Sequence, residues 1–259
     1  MGTPTPTPTP TTKTKTNLEP ERGEVTWKSE GTEGGKHHSR RLHVPTDSSG
    51  LTLGRGYDMS NRSSADIISD LTRAGVVLKD AQTLSGAAGL KGADARKFIR
   101  DHKLEKFEIS PLGQKLLFDT AYEDEAAEAE RLCSKDDVTE AYGDCNWEKL
   151  DPAIRDILVD MKFRGDYTGA ARTRIQAFVV ANDLESFAKA LEKRGDWANV
   201  PKDRFNLRVA FLKKAVAERK AKSPAPVASK PAASSASGKP SAAPKVKGNT
   251  PGPLGVSPK

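Results

Sequence analysis

Two short segments near the start of the chain hold the side chains best suited to chemistry: Ser29-Glu30-Gly31 and Ser49-Gly50-Leu51-Thr52-Leu53-Gly54-Arg55-Gly56-Tyr57-Asp58. A lone carboxyl beside a glycine is followed by a glycine-punctuated strand that carries a threonine and ends on a second carboxyl. Cutting a glycosidic bond requires two carboxyl groups in different environments, one protonated and one ionised. Glu30 and Asp58 are the candidates, with Thr52 between them. Alternation across Leu51, Thr52 and Leu53 suits a β-strand and turns Thr52 away from its two leucine neighbours. Gly54 and Gly56 allow a tight bend or a close backbone approach. Two further carboxyls lie nearby as alternatives. Glu33 reads as an exposed loop glutamate, and Asp47 sits in Thr46-Asp47-Ser48-Ser49-Gly50, which is good turn chemistry.

These residues need a frame to hold them. The opening threonine-proline repeat, Thr3 to Pro10, has nothing to bury. The stretch from Ser223 to Lys259 is mostly Pro, Ala, Ser and Lys and is expected to be disordered. Three regions follow: a Thr/Pro-rich segment over 1–22, a globular domain over 23–222, and a basic tail over 223–259. The formal charge of +7 invites a nucleic-acid reading, but its distribution opposes one. Residues 213–259 carry ten Lys or Arg against one acid, and residues 1–22 carry three against two, which leaves −3 over residues 24–212. A basic tail reads as a solubilising or tethering segment with affinity for anionic envelopes.

No apolar run approaches the roughly 18 residues needed to span a membrane. The start lacks a charged-then-apolar signal segment. Cys133 and Cys145 leave a disulfide open. His37, His38 and His43 do not complete a metal-ligand spacing, and Met59 stands where a dinucleotide fingerprint needs its third glycine. Trp27, Trp147 and Trp197 suit either sugar stacking or a core.

The rest of the domain reads as helical. Ser64 caps a stripe of Ile67, Ile68, Leu71 and Ala74 that stops at Gly75, and a short helix spans Ala93 to His102. Ser110-Pro111 opens a long helix with Leu112, Leu116, Leu117, Ala121 and Leu132 inside and an acidic outer face. Asp151-Pro152 opens another, with Ile154, Ile157, Leu158 and Met161 at core spacing and Gly165 as its stop. Ile175, Phe178 and Val179 mark the next. Asp183 caps a helix closed by Gly195, and the last begins near Pro201 and buries Phe205, Val209, Leu212 and Val216. A small β-region followed by a mainly helical lobe is an α+β arrangement.

The pattern resembles the phage-type lysozyme superfamily, most closely its pesticin-like muramidase branch. Ser29-Glu30-Gly31 resembles the segment of the catalytic glutamate. Thr52-Leu53-Gly54-Arg55-Gly56 matches the threonine strand, and Tyr57-Asp58 supplies the aspartate that this branch carries after it. Phage lysozymes proper carry the aspartate before the threonine, where this chain has Asp47. Met161 to Gly165 resembles the central helix, and Gly195-Asp196-Trp197, Pro201 and Arg204 to Val209 resemble the final helix.

The resemblance implies a lysozyme-like fold and a glycoside hydrolase that cleaves the β-1,4 bond between N-acetylmuramic acid and N-acetylglucosamine. Glu30 would act as acid, with Asp58 and Thr52 activating a water. Tyr57, Arg55 and Arg204 are substrate-binding candidates, and Arg204 or Arg208 is the arginine set against the glutamate. Room for the water needs roughly 6.5–9.5 Å between the carboxyls and implies inversion. Neither metal nor organic cofactor is expected. The resemblance further implies a monomeric antibacterial toxin or secreted effector, delivered without an N-terminal signal peptide to the envelope or periplasm of a target cell. Its partners would be peptidoglycan and an immunity protein, without nucleic acid. The alternative is a non-catalytic peptidoglycan-binding or spacer module of a secretion or phage machine.

Overall fold

A computed structural model describes residues 18–35 and 37–222. The expectations for the Thr/Pro repeat and the basic tail therefore lie outside the described residues, apart from 18–22. The chain runs from α1 (Glu24–Ser29) into a hairpin of β1 (Thr52–Leu53) and β2 (Tyr57–Asp58). Then come α2 (Ser64–Arg73), α3 (Leu78–Ser85), α4 (Gly92–Asp101), α5 (Pro111–Cys133) and α6 (Asp136–Tyr142). The order closes with α7 (Pro152–Arg164), α8 (Gly169–Val180), α9 (Leu184–Leu191) and α10 (Lys202–Lys222). Helices with one small antiparallel two-stranded sheet make an α+β arrangement. No helix among the described residues is long and apolar enough to cross a membrane.

Local chemistry fixes the main boundaries. The Ser110 hydroxyl accepts from the Gly113 amide ahead of Pro111, and the Asp151 carboxylate accepts from Ala153 ahead of Pro152. Each satisfies an N–H that the first helical turn leaves without a partner. Gly165, in the left-handed region at φ 85°, ends α7. The cap of α2 is Ser63 rather than Ser64, with Asp66 completing a capping box.

Two apolar cores result. One gathers Leu51, Leu53, Tyr57 and Met59 of the hairpin region with α2, α3 and α4. The other gathers α7, α8 and α9 with parts of α1, α5 and α10, centred on the fully buried Ile154, Ile157 and Leu158. Burying each such side chain contributes about 1.5–3 kcal/mol. Helix α5 belongs to both cores: Leu117 packs into the first and its neighbour Phe118 into the second.

Some inward faces differ from the sequence pattern. Leu112 lies 52% exposed at the start of α5, where the buried positions of the first turn are Gly113 and Gln114. In α10 the buried positions are Arg204, Arg208 and Leu212, and Phe205, Val209 and Val216 are only partly covered. Helix α9 ends at Leu191, and Gly195 belongs to a separate 3₁₀ turn, Arg194–Trp197. Cys133 and Cys145 are both free thiols. Trp147 and Trp197 are core residues, and the Trp197 indole N–H donates to the Ala190 carbonyl.

At Gly56 the hairpin closely approaches the helical core. Gly56 has φ 90°, and a Cβ there would sit 2.3 Å from Phe163 of α7. Gly75 also has positive φ, but open space surrounds it. Gly56→Ala should therefore cost about 2–4 kcal/mol, combining backbone strain with overpacking, and Gly75→Ala only about 1–2 kcal/mol. Urea denaturation of the two variants measures the difference, and equal costs would remove the Phe163 approach as a constraint.

Candidate active site

Glu30 is placed by α1. Val25 and Thr26 of that helix are buried, and the Glu30 amide donates to the Thr26 carbonyl at 2.9 Å. The backbone is thus fixed while the carboxyl stays 23% exposed. Its Oε1 accepts from Arg204 Nη1 at 2.5 Å, an ion pair between the end of α1 and the first turns of α10. The same guanidinium donates through Nε and Nη2 to Asp160 of α7, at 3.2 and 2.7 Å. Asp160 is fully buried and also accepts from Arg208 Nε at 2.6 Å, and Arg208 Nη1 lies 2.9 Å from Asp166. Burial alone would lower the Arg204 pKa, but Asp160 and Glu30 more than offset this and raise it.

Thr52 and Asp58 are placed by the hairpin. They are direct partners across the antiparallel pair, so their side chains share one face. Thr52 is 4% exposed, its backbone pairs with His43 in both directions, and its hydroxyl donates to the Gly50 carbonyl at 3.2 Å. Asp58 accepts the Gly50 amide on Oδ2 at 2.9 Å and the Ser60 amide on Oδ1 at 2.7 Å. A Cβ at Gly50 would fall 2.2 Å from Oδ1, so that position needs its glycine. Two accepted N–H groups leave about two of a carboxylate's four lone-pair directions open.

The remaining candidates occupy different surroundings. Asp47 is 92% exposed and pairs with Arg96. Glu33 is an exposed loop glutamate, as expected, but it has firm partners. Its Oε1 accepts from the buried Gln114 at 2.6 Å and its Oε2 from Arg40 at 3.0 Å, with Arg55 Nη2 at 3.6 Å. Partial burial pushes its pKa up, but these two bonds and the charges of Arg40 and Arg55 outweigh that and lower it. Such a group suits proton donation poorly.

Tyr57 and Arg55, expected against substrate, are instead enclosed. Tyr57 is fully buried and donates to Asp70 at 2.8 Å with Arg62 stacked on its ring. Burial, then Asp70, raises its hydroxyl pKa. Arg55 is 6% exposed and donates inward to backbone carbonyls. Arg204 reaches Glu30 rather than standing free.

Of the two arginines expected against the glutamate, Arg204 reaches it and Arg208 instead pairs with Asp160 and Asp166, and Asp160 carries no signal as a motif. The available clue was a charge flanked by Val159 and Met161 on a core helix, since a buried carboxylate demands cationic partners. Cavities of about 350 Å³ beside Asp156 and Phe211, and of about 490 Å³ beside Asn182 and Lys189, include none of Glu30, Thr52 and Asp58 in their linings.

Residues 23–209 match the family described as Domain of unknown function (DUF8812), and the chain belongs to that family. No curated protein matches the chain.

The Glu33 bonds generate a pH dependence. A carboxyl whose folded-state pKa is lowered contributes stability above its unfolded value, and that contribution is lost as pH falls through the folded value. Glu33→Gln should therefore melt below the wild type at pH 7, with the gap closing as pH drops below the ordinary 4.5. Thermal melts of both proteins at pH 7 and pH 3 check this, and a gap independent of pH would remove the ionised carboxyl as its cause.

Proposed function

We propose that the chain is a muramidase of lysozyme-like fold, hydrolysing the β-1,4 bond between N-acetylmuramic acid and N-acetylglucosamine. The observation that carries the reading is a partly exposed Glu30 gripped by Arg204 of the last helix, together with a hairpin that sets Thr52 directly opposite Asp58. The resemblance to pesticin-like muramidases implies this pairing of elements, and the two cores joined by α5 agree with a lysozyme-like build.

In the proposed reaction Glu30 protonates the leaving glycosidic oxygen. Asp58 takes a proton from a water that Thr52 helps to hold, and that water attacks the anomeric carbon from the opposite face. The remaining lone pairs of Asp58 serve that water. Asp58 is favoured over Asp47 because Asp47 stands out in solvent, paired with Arg96. The proposed setting is an antibacterial effector or toxin acting on the envelope of a target cell, with an immunity protein as partner. The alternative is a wall-binding module without chemistry, in which the Asp58 carboxylate does no more than accept the Gly50 and Ser60 amides.

Loss of turbidity of purified cell walls separates the two. Glu30→Gln should abolish lysis. Asp58→Asn should lose orders of magnitude in rate, and Asp47→Asn should lose little. Glu30→Gln with more than about a tenth of wild-type activity would overturn the role of Glu30 as general acid, which is worth about 10²–10⁴-fold. Absence of lysis by the wild type, with walls still bound, would establish the module.

Stereochemistry tests the mechanism without a mutant. Attack by a held water makes the first product the α-anomer, visible by proton NMR before mutarotation. A β-anomer would require a glycosyl-enzyme intermediate and carboxyls only about 5 Å apart.

A further inference from the structure

Arg55 sits between Gly54 and Gly56, at the tip of the hairpin whose strands carry Thr52 and Asp58. Its side chain leaves that hairpin and ends against α1. Nη1 donates to the Trp27 carbonyl and to the Gly31 carbonyl, both at 2.5 Å. Those two carbonyls bracket Glu30 in the chain. The guanidinium also lies over the Trp27 ring, 4.3 Å from its centroid, and Nη2 stands 3.6 Å from Glu33. Even the stem is fitted to this segment, since a Cβ at Gly31 would come within 3.0 Å of Arg55 Cγ.

The chemistry of the contact is that of a helix C-terminus. The last carbonyls of a helix lack intrahelical donors and carry a partial negative charge, and a cation there satisfies both needs. Stacking on an aromatic face adds to it. Burial, the largest influence, lowers the pKa of Arg55. A guanidinium nevertheless keeps its proton, so the charge stays in place at neutral pH.

We propose that Arg55 is a positioning residue for the reaction: it ties the segment carrying Glu30 to the hairpin carrying Thr52 and Asp58, and so fixes the acid relative to the water-holding pair. The inference rests on the muramidase reading. Apart from the chain itself, Val25 of α1 belongs to the helical core and Leu53 and Tyr57 of the hairpin to the other, so the two halves of the site sit on different cores. Misplacement of about 1 Å between reacting groups costs about 10²-fold in rate. Arg55 touches neither water nor sugar in this role and acts through the backbone on either side of Glu30.

Arg55→Met keeps the stem and removes the guanidinium. Its kcat on cell walls should fall about 10–100-fold with KM within about twofold, because transition-state alignment is lost and not binding. Arg55→Lys keeps the charge on a shorter reach and should lie between the two. Hydrogen exchange supplies a readout independent of activity. Amides of residues 27–35 should exchange at least tenfold faster in Arg55→Met, with α7 unchanged. If Arg55→Met does not fold, the same comparison is made with Arg55→Lys. Exchange at 27–35 equal to wild type in the folded variant overturns the tie, and wild-type kcat with loosened amides overturns its bearing on catalysis. A wild-type protein that leaves cell walls intact overturns the muramidase reading itself, a result that neither variant can mimic.

Discussion

The fully buried carboxylate of Asp160 is the constraint on which the rest of the arrangement depends. A charge in the interior is stable only when paired and hydrogen-bonded, and breaking such a pair costs about 3–5 kcal/mol. Asp160 therefore dictates that α10 turn Arg204 and Arg208 inward against α7. Once Arg204 is bound through Nε and Nη2, its planar fork leaves Nη1 with a fixed direction, and that direction ends on Glu30. Glu30 is consequently not the sole counter-charge of Arg204. The guanidinium would be held by Asp160 without it, so a functional carboxyl at position 30 can be exchanged without unpairing the interior.

Around that pair the fold divides the work between two cores. The helical core supplies stiffness, through the apolar stripe of α7 and its packing against α5, α9 and α10. The smaller core holds a hairpin of only two residues per strand. Such a hairpin has little stability of its own. Its position depends on contacts at its margins: Leu51, Leu53, Tyr57 and Met59 buried beneath it, Phe163 against Gly56, and Arg55 against α1. Helix α5 keeps the two cores in register, because Leu117 and Phe118 are adjacent yet belong to different cores.

What was legible in the sequence follows from how each element is made. Helices α2, α5, α7 and α9 begin at side chains that accept the first free N–H groups, and their starts are readable to within a residue. Helices α1, α3 and α6 have no side-chain cap, since their N-caps are Gly23, Val77 and Lys135, and the sequence pattern passes over them. The inward face of α10 departs from the apolar pattern for a different reason. Apolar spacing finds a buried face only where burial is apolar, and here two of its three buried positions are arginines. The site divides in the same way. Thr52 and Asp58 lie in one short motif and pair locally, whereas Arg55 to Trp27, Gln114 to Glu33 and Arg204 to Asp160 are long-range contacts that no local pattern encodes.

The three carboxyls nearest the motifs illustrate how partners decide roles among chemically similar groups. Glu33 is bound by an amide and an arginine that favour its ionised form, which makes it a structural anchor for the loop leading out of α1. Asp58 accepts two backbone N–H groups that hold it at the end of β2 and leave part of its acceptor capacity free. Glu30 has a single cationic partner and is 23% exposed, against 51% for Glu33. An acid must reach the leaving oxygen, and a base must be held still beside a water. On the muramidase reading proposed above, Glu30, with fewer hydrogen-bond partners than Glu33, takes the first task, and a rigid carboxylate opposite Thr52 suits Asp58 to the second.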